Sequence, residues 1–102
     1  MKLKNRVAVV TGASRGIGRG IALAFAAEGA DIVFTYHANK KAADETESLV
    51  RKHGVKCLQV KCDASSEADV KALAETVRKE FGKINILVNN AGTIGAEKPI
   101  TE

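Results

Sequence analysis

The residues of greatest chemical interest are three glycines that follow the first apolar segment. Val7–Val10 leads into Thr11, and Gly12, Gly16 and Gly18 then follow in the spacing G-x-x-x-G-x-G. Between a strand and a helix, such a turn lets the backbone approach a diphosphate and points a helix N-terminus, with its free N–H groups, at the anion. Gly12 would permit the tight turn, Gly16 the close approach, and Gly18 the packing of helix against strand. We therefore expect a dinucleotide-binding turn, and the alternative is a tight turn that binds nothing.

The residues after the second apolar segment bear on which dinucleotide would bind. NAD-binding folds usually carry an acid about 20 residues after the glycines, for the ribose 2′-hydroxyl. That place here reads Tyr36-His37-Ala38-Asn39 and is followed by Lys40 and Lys41. Arg15, inside the turn, could pair with a 2′-phosphate through its fork of donors, and its alternative role is that of a solvated surface residue. The missing acid and the added bases favour NADP(H), with NAD(H) the less favoured cofactor.

Two further segments fall at the ends of predicted strands, where sheets of this kind bind their ligands. Asp63 and Ala64 follow the third strand, and the Asp63 carboxylate could accept a hydrogen bond from an adenine amino group. The alternative role of Asp63 is to cap the loop before the third helix. Asn89-Asn90-Ala91-Gly92 follows the fourth strand, where small residues suit a backbone that passes close to a ribose. As structure alone, this segment would be an ordinary Asn/Gly turn.

Short apolar segments alternate with longer amphipathic ones, which predicts a doubly wound α/β fold with a parallel sheet. The predicted strands are 7–10, 32–35, 57–60 and 84–89, and the first two predicted helices are 16–28 and 40–53. A third helix would begin at the capping box Ser66-Glu67-Ala68-Asp69 and end at Gly82. We expect the buried stripes of the first and third helices to be formed by Ile17, Ile21, Ala24 and Phe25, and by Val70, Leu73, Val77 and Phe81.

Composition narrows the classes of protein. The 102 residues suit one domain, and a hydrophobic share of 45% is enough for a core, which excludes a disordered chain. A net charge of +4 with interspersed signs suits an anionic ligand, and with few aromatic residues it does not favour nucleic acid. The apolar segments are too short for a signal peptide or a membrane helix. Cys57 and Cys62 are expected to be reduced thiols in a cytoplasmic protein, and no neighbouring histidine suggests a zinc site.

Thr11-Gly12-x3-Gly16-x-Gly18, followed by Asn89-Asn90-Ala91-Gly92 in this βα frame, resembles the short-chain dehydrogenase/reductase family. The stretch from Thr11 to Arg19 resembles most closely the 3-oxoacyl-(acyl-carrier-protein) reductase branch. The resemblance covers nearly the whole chain and implies a Rossmann-type sheet of order 3-2-1-4. It also implies that Thr11 and Asn89 hold neighbouring strand ends together. Around the cofactor it places Gly12, Ser14, Arg15, Gly16, Ile17, Gly18, Tyr36, His37, Asp63, Ala64, Asn90, Ala91 and Gly92.

The activity implied by the resemblance is the NADP(H)-dependent reduction of a carbonyl to a hydroxyl. The substrate would be a small molecule or a 3-oxoacyl thioester on acyl-carrier protein, as in fatty acid biosynthesis. The full-length protein would be a homo-oligomer, a tetramer by resemblance, without a nucleic-acid or membrane partner. Hydride would pass between the nicotinamide and the carbonyl, with a tyrosine as acid and a nearby lysine lowering its pKa.

The family's catalytic residues have no counterpart in these 102 residues. Family members place a serine and a Tyr-x-x-x-Lys motif well beyond this point, so we expect residues 1–102 to be a dinucleotide-binding half, truncated before the catalytic half and inactive alone. Tyr36 and Lys40 have the Tyr-x-x-x-Lys spacing, but a strand-to-helix junction separates them. We assign no catalytic or metal site. The alternative function is a stand-alone NADP(H)-binding module that carries out no chemistry.

Overall fold

A computed structural model describes residues 2–12, 16–63 and 66–89, and it contains the predicted alternation of strands and helices. The strands are β1 (Val7–Val10), β2 (Asp31–Tyr36), β3 (Cys57–Lys61) and β4 (Ile86–Val88). The helices are α1 (Gly16–Ala27), α2 (Lys40–Arg51) and α3 (Glu67–Phe81). All strand pairs are parallel and the order is β3-β2-β1-β4. The predicted fold class and strand order are therefore confirmed.

The sheet is buried on both faces because its central strands, β1 and β2, consist mostly of apolar residues. All four residues of β1 are buried, and their side chains point alternately into two core layers. One layer, shared with α1 and α2, contains Ala8, Val10, Ile32 and Phe34 from the sheet. The other lies beneath α3 and consists of Val7, Val9, Val33, Cys62, Leu73 and Val77. Helices thus cover both faces, as a doubly wound sheet requires.

The helix ends follow the capping residues in the sequence. The Asn39 side chain accepts a hydrogen bond from the Ala42 amide and begins α2. Ser66 does the same for α3, accepting from the Asp69 amide at 3.2 Å. Gly82 ends α3 in the left-handed conformation, at φ 77°. The capping box is only half formed, because Asp69 Oδ2 accepts from the Asp63 amide and not from that of Ser66.

The expected buried stripe of α1 is wrong in part. Its buried residues are Gly18, Ala22 and Ala26, whereas Ile17 is 77% exposed and Ala24 is also exposed. Small residues at i, i+4 and i+8 let the helix axis approach the sheet closely, so the larger apolar side chains lie at the sides of the contact. A prediction from hydrophobicity alone favours the larger apolar residues, and it therefore places the buried face of α1 at the wrong angle around the helix axis.

The stripe of α3 is correct except at its start. Leu73 and Val77 are buried and Phe81 is half-buried, but Val70 is 44% exposed. Leu73 and Val77 reach the core layer beneath α3, and Val70, in the first turn, is not part of that cluster. The first turn of α3 is instead anchored by the polar contacts of Ser66 and Asp69.

Strand β4 is shorter than predicted because Asn85 pairs with the sheet through its side chain. The Val7 amide donates to Asn85 Oδ1 at 2.9 Å, and the Asn85 amide donates to the Val7 carbonyl at 2.9 Å. This reciprocal pair replaces the ladder before Ile86. Among the described strands β4 lies at one edge of the sheet, and its central residue Leu87 is 65% exposed.

Candidate functional site

The carboxyl ends of β1 and β4 form the topological switch point of the sheet. From β1 the chain builds outward through β2 to β3, and it then crosses back to place β4 on the other side of β1. Open α/β sheets bind their ligands in the crevice that opens at such a point. Thr11 and Gly12 follow β1 and Asn89 follows β4, so the described first residues of the two sequence motifs lie at this point.

Thr11 joins the two strands across this switch point. Its amide donates to the Val88 carbonyl at 3.0 Å, which extends the β1–β4 ladder beyond the last residue of β1. Its hydroxyl lies 3.4 Å from the same carbonyl and 3.2 Å from Asn89 Oδ1. The implied role of Thr11 and Asn89 in holding neighbouring strand ends is therefore visible in the geometry.

Gly12 and Gly16, on either side of residues 13–15, both have a left-handed backbone. Gly12 has φ 69° and Gly16 has φ 66°, in the left-handed region that strains other residues. A Cβ built on Gly16 would meet no described atom within 4 Å. Gly18 is buried, as expected for a residue that lets α1 pack closely. Ser14 and Arg15 lie outside the described residues.

The start of α1 suits an anion. Its first turn contains no acidic residue, and Ile17, one residue into the helix, is strongly exposed. The free N–H groups of a helix N-terminus favour negative charge, and an exposed apolar side chain beside them could cover part of a bound nucleotide. The described residues of this turn thus fit a dinucleotide diphosphate.

The end of β2 is held by α2 and β3. Tyr36 is half-buried and its carbonyl accepts from the Cys62 amide at 2.9 Å, while His37 is exposed. Lys40 Nζ lies 5.9 Å from the centre of the Tyr36 ring and donates to Asp44 and Gln59. The Asp44 hydrogen bond raises the pKa of Lys40, so that this ammonium stays charged. Lys40 is the first residue of α2, so the predicted strand-to-helix junction between Tyr36 and Lys40 is confirmed.

Asp63 lies in the loop that connects β3 with α3. It is half-buried; its amide donates to Asp69 Oδ2 at 2.9 Å and its carbonyl accepts from the Ser66 amide at 2.9 Å. The backbone of Asp63 therefore closes this loop, while the side chain of Ser66 caps the helix. Ala64 lies outside the described residues, as do Asn90, Ala91 and Gly92.

Two residues that support this edge of the sheet were not predicted. Thr35, fully buried on β2, accepts a hydrogen bond from the Gly12 amide at 2.9 Å through its hydroxyl. Arg19, in the first turn of α1, donates to Thr46 Oγ1 at 2.7 Å and to the Ala42 carbonyl at 3.0 Å on α2. The available signal was a hydroxyl at the end of an apolar strand, since a buried polar group requires a partner.

Cys57 and Cys62 are both buried. Neither forms a disulfide. Burial raises the pKa of Cys57 to about 12, and burial also raises the pKa of Cys62. Since the thiolate is the reactive form, burial makes both thiols less nucleophilic than an exposed cysteine. Among the described residues, His, Cys, Asp and Glu form no cluster that could hold a metal, and no helix is long and apolar enough to cross a membrane.

Comparison with known proteins places the chain in a family. The profile of the short chain dehydrogenase family matches residues 6–102. The chain therefore belongs to the short-chain dehydrogenase family, a family of oxidoreductases whose members use nicotinamide cofactors. The sheet, its switch point and the glycine-rich turn described above agree with this assignment.

The curated proteins that resemble the chain include two sugar dehydrogenases. The chain is 39% identical over 95 residues to glucose 1-dehydrogenase 2 of Bacillus subtilis, an alignment that covers 93% of this chain and 37% of that protein. It is 45% identical over 92 residues to an L-rhamnose 1-dehydrogenase (NADP(+)) of Thermoplasma acidophilum, covering 90% of this chain and 36% of that protein. The chain thus spans little more than a third of the length of these relatives.

Solved structures that resemble the chain also include short-chain dehydrogenases. A short-chain dehydrogenase/reductase of Serratia marcescens, solved as a double mutant, superposes with a TM-score of 0.88 at 39% identity, covering 92% of this chain and 38% of that one. An NAD⁺-bound xylitol dehydrogenase superposes with a TM-score of 0.85 at 39% identity, covering 90% and 35% of the two chains. The named relatives and structures do not support the narrower resemblance to the 3-oxoacyl-(acyl-carrier-protein) reductase branch.

Proposed function

We propose that the chain is the cofactor-binding half of a short-chain dehydrogenase/reductase that transfers hydride between NADP(H) and a carbonyl or hydroxyl compound. The observation that carries the proposal is the glycine-rich turn at the β1–β4 switch point, tied to β4 by Thr11 and Asn89. When bound, the nicotinamide would supply the hydride. The chain's own residues would hold the dinucleotide.

The residues proposed to hold the cofactor come from four connections at one edge of the sheet. The turn and the start of α1 would receive the diphosphate, and the end of β2 would contact the adenosine ribose. The loop after β3 would border the adenine, and the segment after β4 would pass the second ribose. The proposed set is Gly12, Ser14, Arg15, Gly16, Ile17, Gly18, Tyr36, His37, Asp63, Ala64, Asn90, Ala91 and Gly92.

The preference for NADP(H) rests on charge at the end of β2. No carboxylate occurs between Tyr36 and Asn39, where an NAD-binding fold would place one. The Asn39 side chain is occupied as the cap of α2, and Lys40 is held by Asp44 and Gln59. Lys41 and Arg15 are then the basic residues we propose for the 2′-phosphate. One relative is named for NADP(+) and one structure is bound to NAD⁺, so the names of relatives leave both cofactors open.

A single substitution tests this preference. A carboxylate at the end of β2 would repel a 2′-phosphate, so His37→Asp should weaken NADPH binding relative to NADH by about tenfold or more. His37→Asn is the matched control, because it has nearly the same size and no charge, and it should leave the ratio of the two dissociation constants close to that of wild type. An unchanged ratio in His37→Asp would contradict the proposed position of the 2′-phosphate.

The substrate is proposed as a carbonyl compound, with a 3-oxoacyl thioester as the first to test. Glucose and rhamnose dehydrogenases among the relatives make sugars the competing class. The catalytic serine and Tyr-x-x-x-Lys would be supplied by residues beyond 102, so the 102-residue segment should not turn over by itself. We propose a cytoplasmic homo-oligomer for the whole protein, without nucleic-acid or membrane partners.

The competing function is a stand-alone NADP(H)-binding module. Both functions predict cofactor binding, and they differ in turnover. NADPH oxidation by the whole gene product should be measured by absorbance with a 3-oxoacyl thioester and with sugar lactones and aldehydes. Saturable oxidation with any of these supports the enzyme. Tight NADPH binding, no oxidation with any of them, and an intact mass of 10.8 kDa from the native source would favour the module.

A further inference from the structure

Thr35 connects the glycine-rich turn directly to the neighbouring strand. Its side chain is 1% exposed, and its hydroxyl oxygen accepts the hydrogen bond from the Gly12 amide at 2.9 Å. The two residues are 23 positions apart in the chain. Because this amide hydrogen is aimed at Thr35, the bond fixes the orientation of the first peptide unit of the turn.

The Thr35 hydroxyl binds the chain of β1 just beyond the last backbone pair of the β1–β2 ladder. The paired register of these strands runs from Val7 opposite Asp31 to Val10 opposite Phe34. Beyond Val10 the chain leaves the β1–β2 ladder toward the turn, and the next residue of β2 is Thr35. The three residues before Thr35, Ile32–Phe34, are buried and apolar, and a hydroxyl buried beside them would be costly without a partner. The Gly12 amide is such a partner.

We propose that Thr35 is a positioning residue for the diphosphate of the dinucleotide. It acts through Gly12, holding the start of the turn so that the N-terminus of α1 faces the ligand. Tyr36 follows Thr35 immediately, so the same strand end that would contact the adenosine ribose also anchors the diphosphate turn. The hydrogen bond between Gly12 and Thr35 therefore fixes the distance between the diphosphate turn and the residue proposed to contact the adenosine ribose. This proposal rests on the proposed cofactor-binding function.

Two substitutions separate the hydrogen bond from the packing. Thr35→Val keeps the volume and removes the hydroxyl, whereas Thr35→Ser keeps the hydroxyl and removes a buried methyl. Both should lower the stability of the fold. We expect only Thr35→Val to weaken NADPH binding to the whole gene product, by about tenfold, which corresponds to one net hydrogen bond. Binding by Thr35→Ser should stay close to that of wild type.

The proposal would be contradicted if the loss of NADPH affinity in the two variants simply paralleled their loss of fold stability. If Thr35→Ser weakens NADPH binding as much as Thr35→Val does, or if neither variant weakens it, Thr35 has no positioning role. Affinity should be measured by titration at a temperature where the unfolding curves show all three proteins fully folded. Stability differences then do not enter the dissociation constants.

A second measurement separates this proposal from the cofactor assignment. Amide hydrogen exchange at Gly12, followed by NMR without cofactor, should be faster in Thr35→Val than in wild type and Thr35→Ser. Equal exchange in all three proteins would overturn the positioning role, whatever the affinities. If wild type binds neither NADPH nor NADH, the proposed function fails, and faster Gly12 exchange in Thr35→Val alone would still show that Thr35 holds the turn.

Discussion

Thr11 and Asn89, 78 residues apart in the chain, are joined by a hydrogen bond of 3.2 Å between Thr11 Oγ1 and Asn89 Oδ1. The bond closes the switch point of the sheet at the level where the glycine-rich turn leaves β1. The first residues of the two motifs that identify the site in the sequence are therefore in direct contact.

The first prediction concerns this bond. Thr11→Val removes the hydroxyl and its contacts with Asn89 and the Val88 carbonyl, while the Thr11 amide keeps its place in the ladder. We expect a loss of about 1 kcal/mol in the free energy of unfolding, measured with urea. A double-mutant cycle with Asn89→Ala should give a coupling of at least about 0.5 kcal/mol. Strict additivity of the two substitutions would show that the pair does not stabilise the switch point.

The second prediction compares two exposed glycines with different backbone conformations. Gly82 ends α3 at φ 77°, whereas Gly20 lies within α1, and a Cβ at either position would meet no atom of the described residues within 4 Å. Gly82→Ala should therefore destabilise the fold by about 1 kcal/mol, because an L-residue is strained at that φ. Gly20→Ala should stabilise it by up to about 1 kcal/mol through helix propensity. Thermal or urea unfolding checks both, and equal signs would contradict the described conformations.

The third prediction concerns the link between α1 and α2. Arg19 donates to the fully buried Thr46 at 2.7 Å, and it also reaches Glu45 at 3.4 Å. Arg19→Met should lower the free energy of unfolding by about 1.5–3 kcal/mol, the range for hydrogen bonds to a charged group. Arg78→Met on the exposed face of α3 is the control and should change it by less than about 0.5 kcal/mol. Similar effects from both variants would mean that the link contributes nothing beyond an ordinary surface arginine.

The fourth prediction concerns pH. The pKa of Cys57 is about 12 in the fold because of burial, against an ordinary value of 9.0. Below 9.0 the thiol is protonated in both states, and its contribution to stability is fully present. As pH rises from 9.0 toward 12, the thiol ionises in the unfolded chain while it stays protonated in the fold. Ionisation lowers the free energy of the unfolded state, so the stability of the fold falls.

The matched comparison for this fourth prediction is Cys57→Ala. The free energy of unfolding of wild type should decline more steeply with pH above 9.0 than that of the variant, and the two slopes should agree near neutral pH. Parallel curves throughout the alkaline range would show that Cys57 titrates no differently in the fold and in the unfolded chain.

Much of the fold could be predicted because its signals are local. The four apolar residues of β1, the Asn39 and Ser66 caps and the left-handed Gly82 are each determined by neighbouring residues, and the structure agrees with them. The strand order came from resemblance to a family, since pairing partners distant in sequence leave no local signal.

What could not be predicted depends on how elements approach one another. The close packing of α1 through Gly18 and Ala22 leaves Ile17 exposed, although hydrophobicity alone would bury it. The bonds from Gly12 to Thr35 and from Arg19 to Thr46 join residues 23 and 27 positions apart, and only the assembled sheet and helices bring them together. Their residue types are common in surface positions, so the sequence alone does not single them out.

The most direct test of the central claim is a calorimetric titration of the whole gene product with NADPH and, separately, with NADH. A diphosphate turn at the β1–β4 switch point predicts saturable binding at one site per chain, and the absence of a carboxylate after β2 predicts a lower dissociation constant for NADPH. Tighter binding of NADH would contradict the cofactor preference while leaving the site intact. No saturable binding of either dinucleotide, by heat or by a fluorescence titration of the reduced nicotinamide, would contradict the proposed function itself.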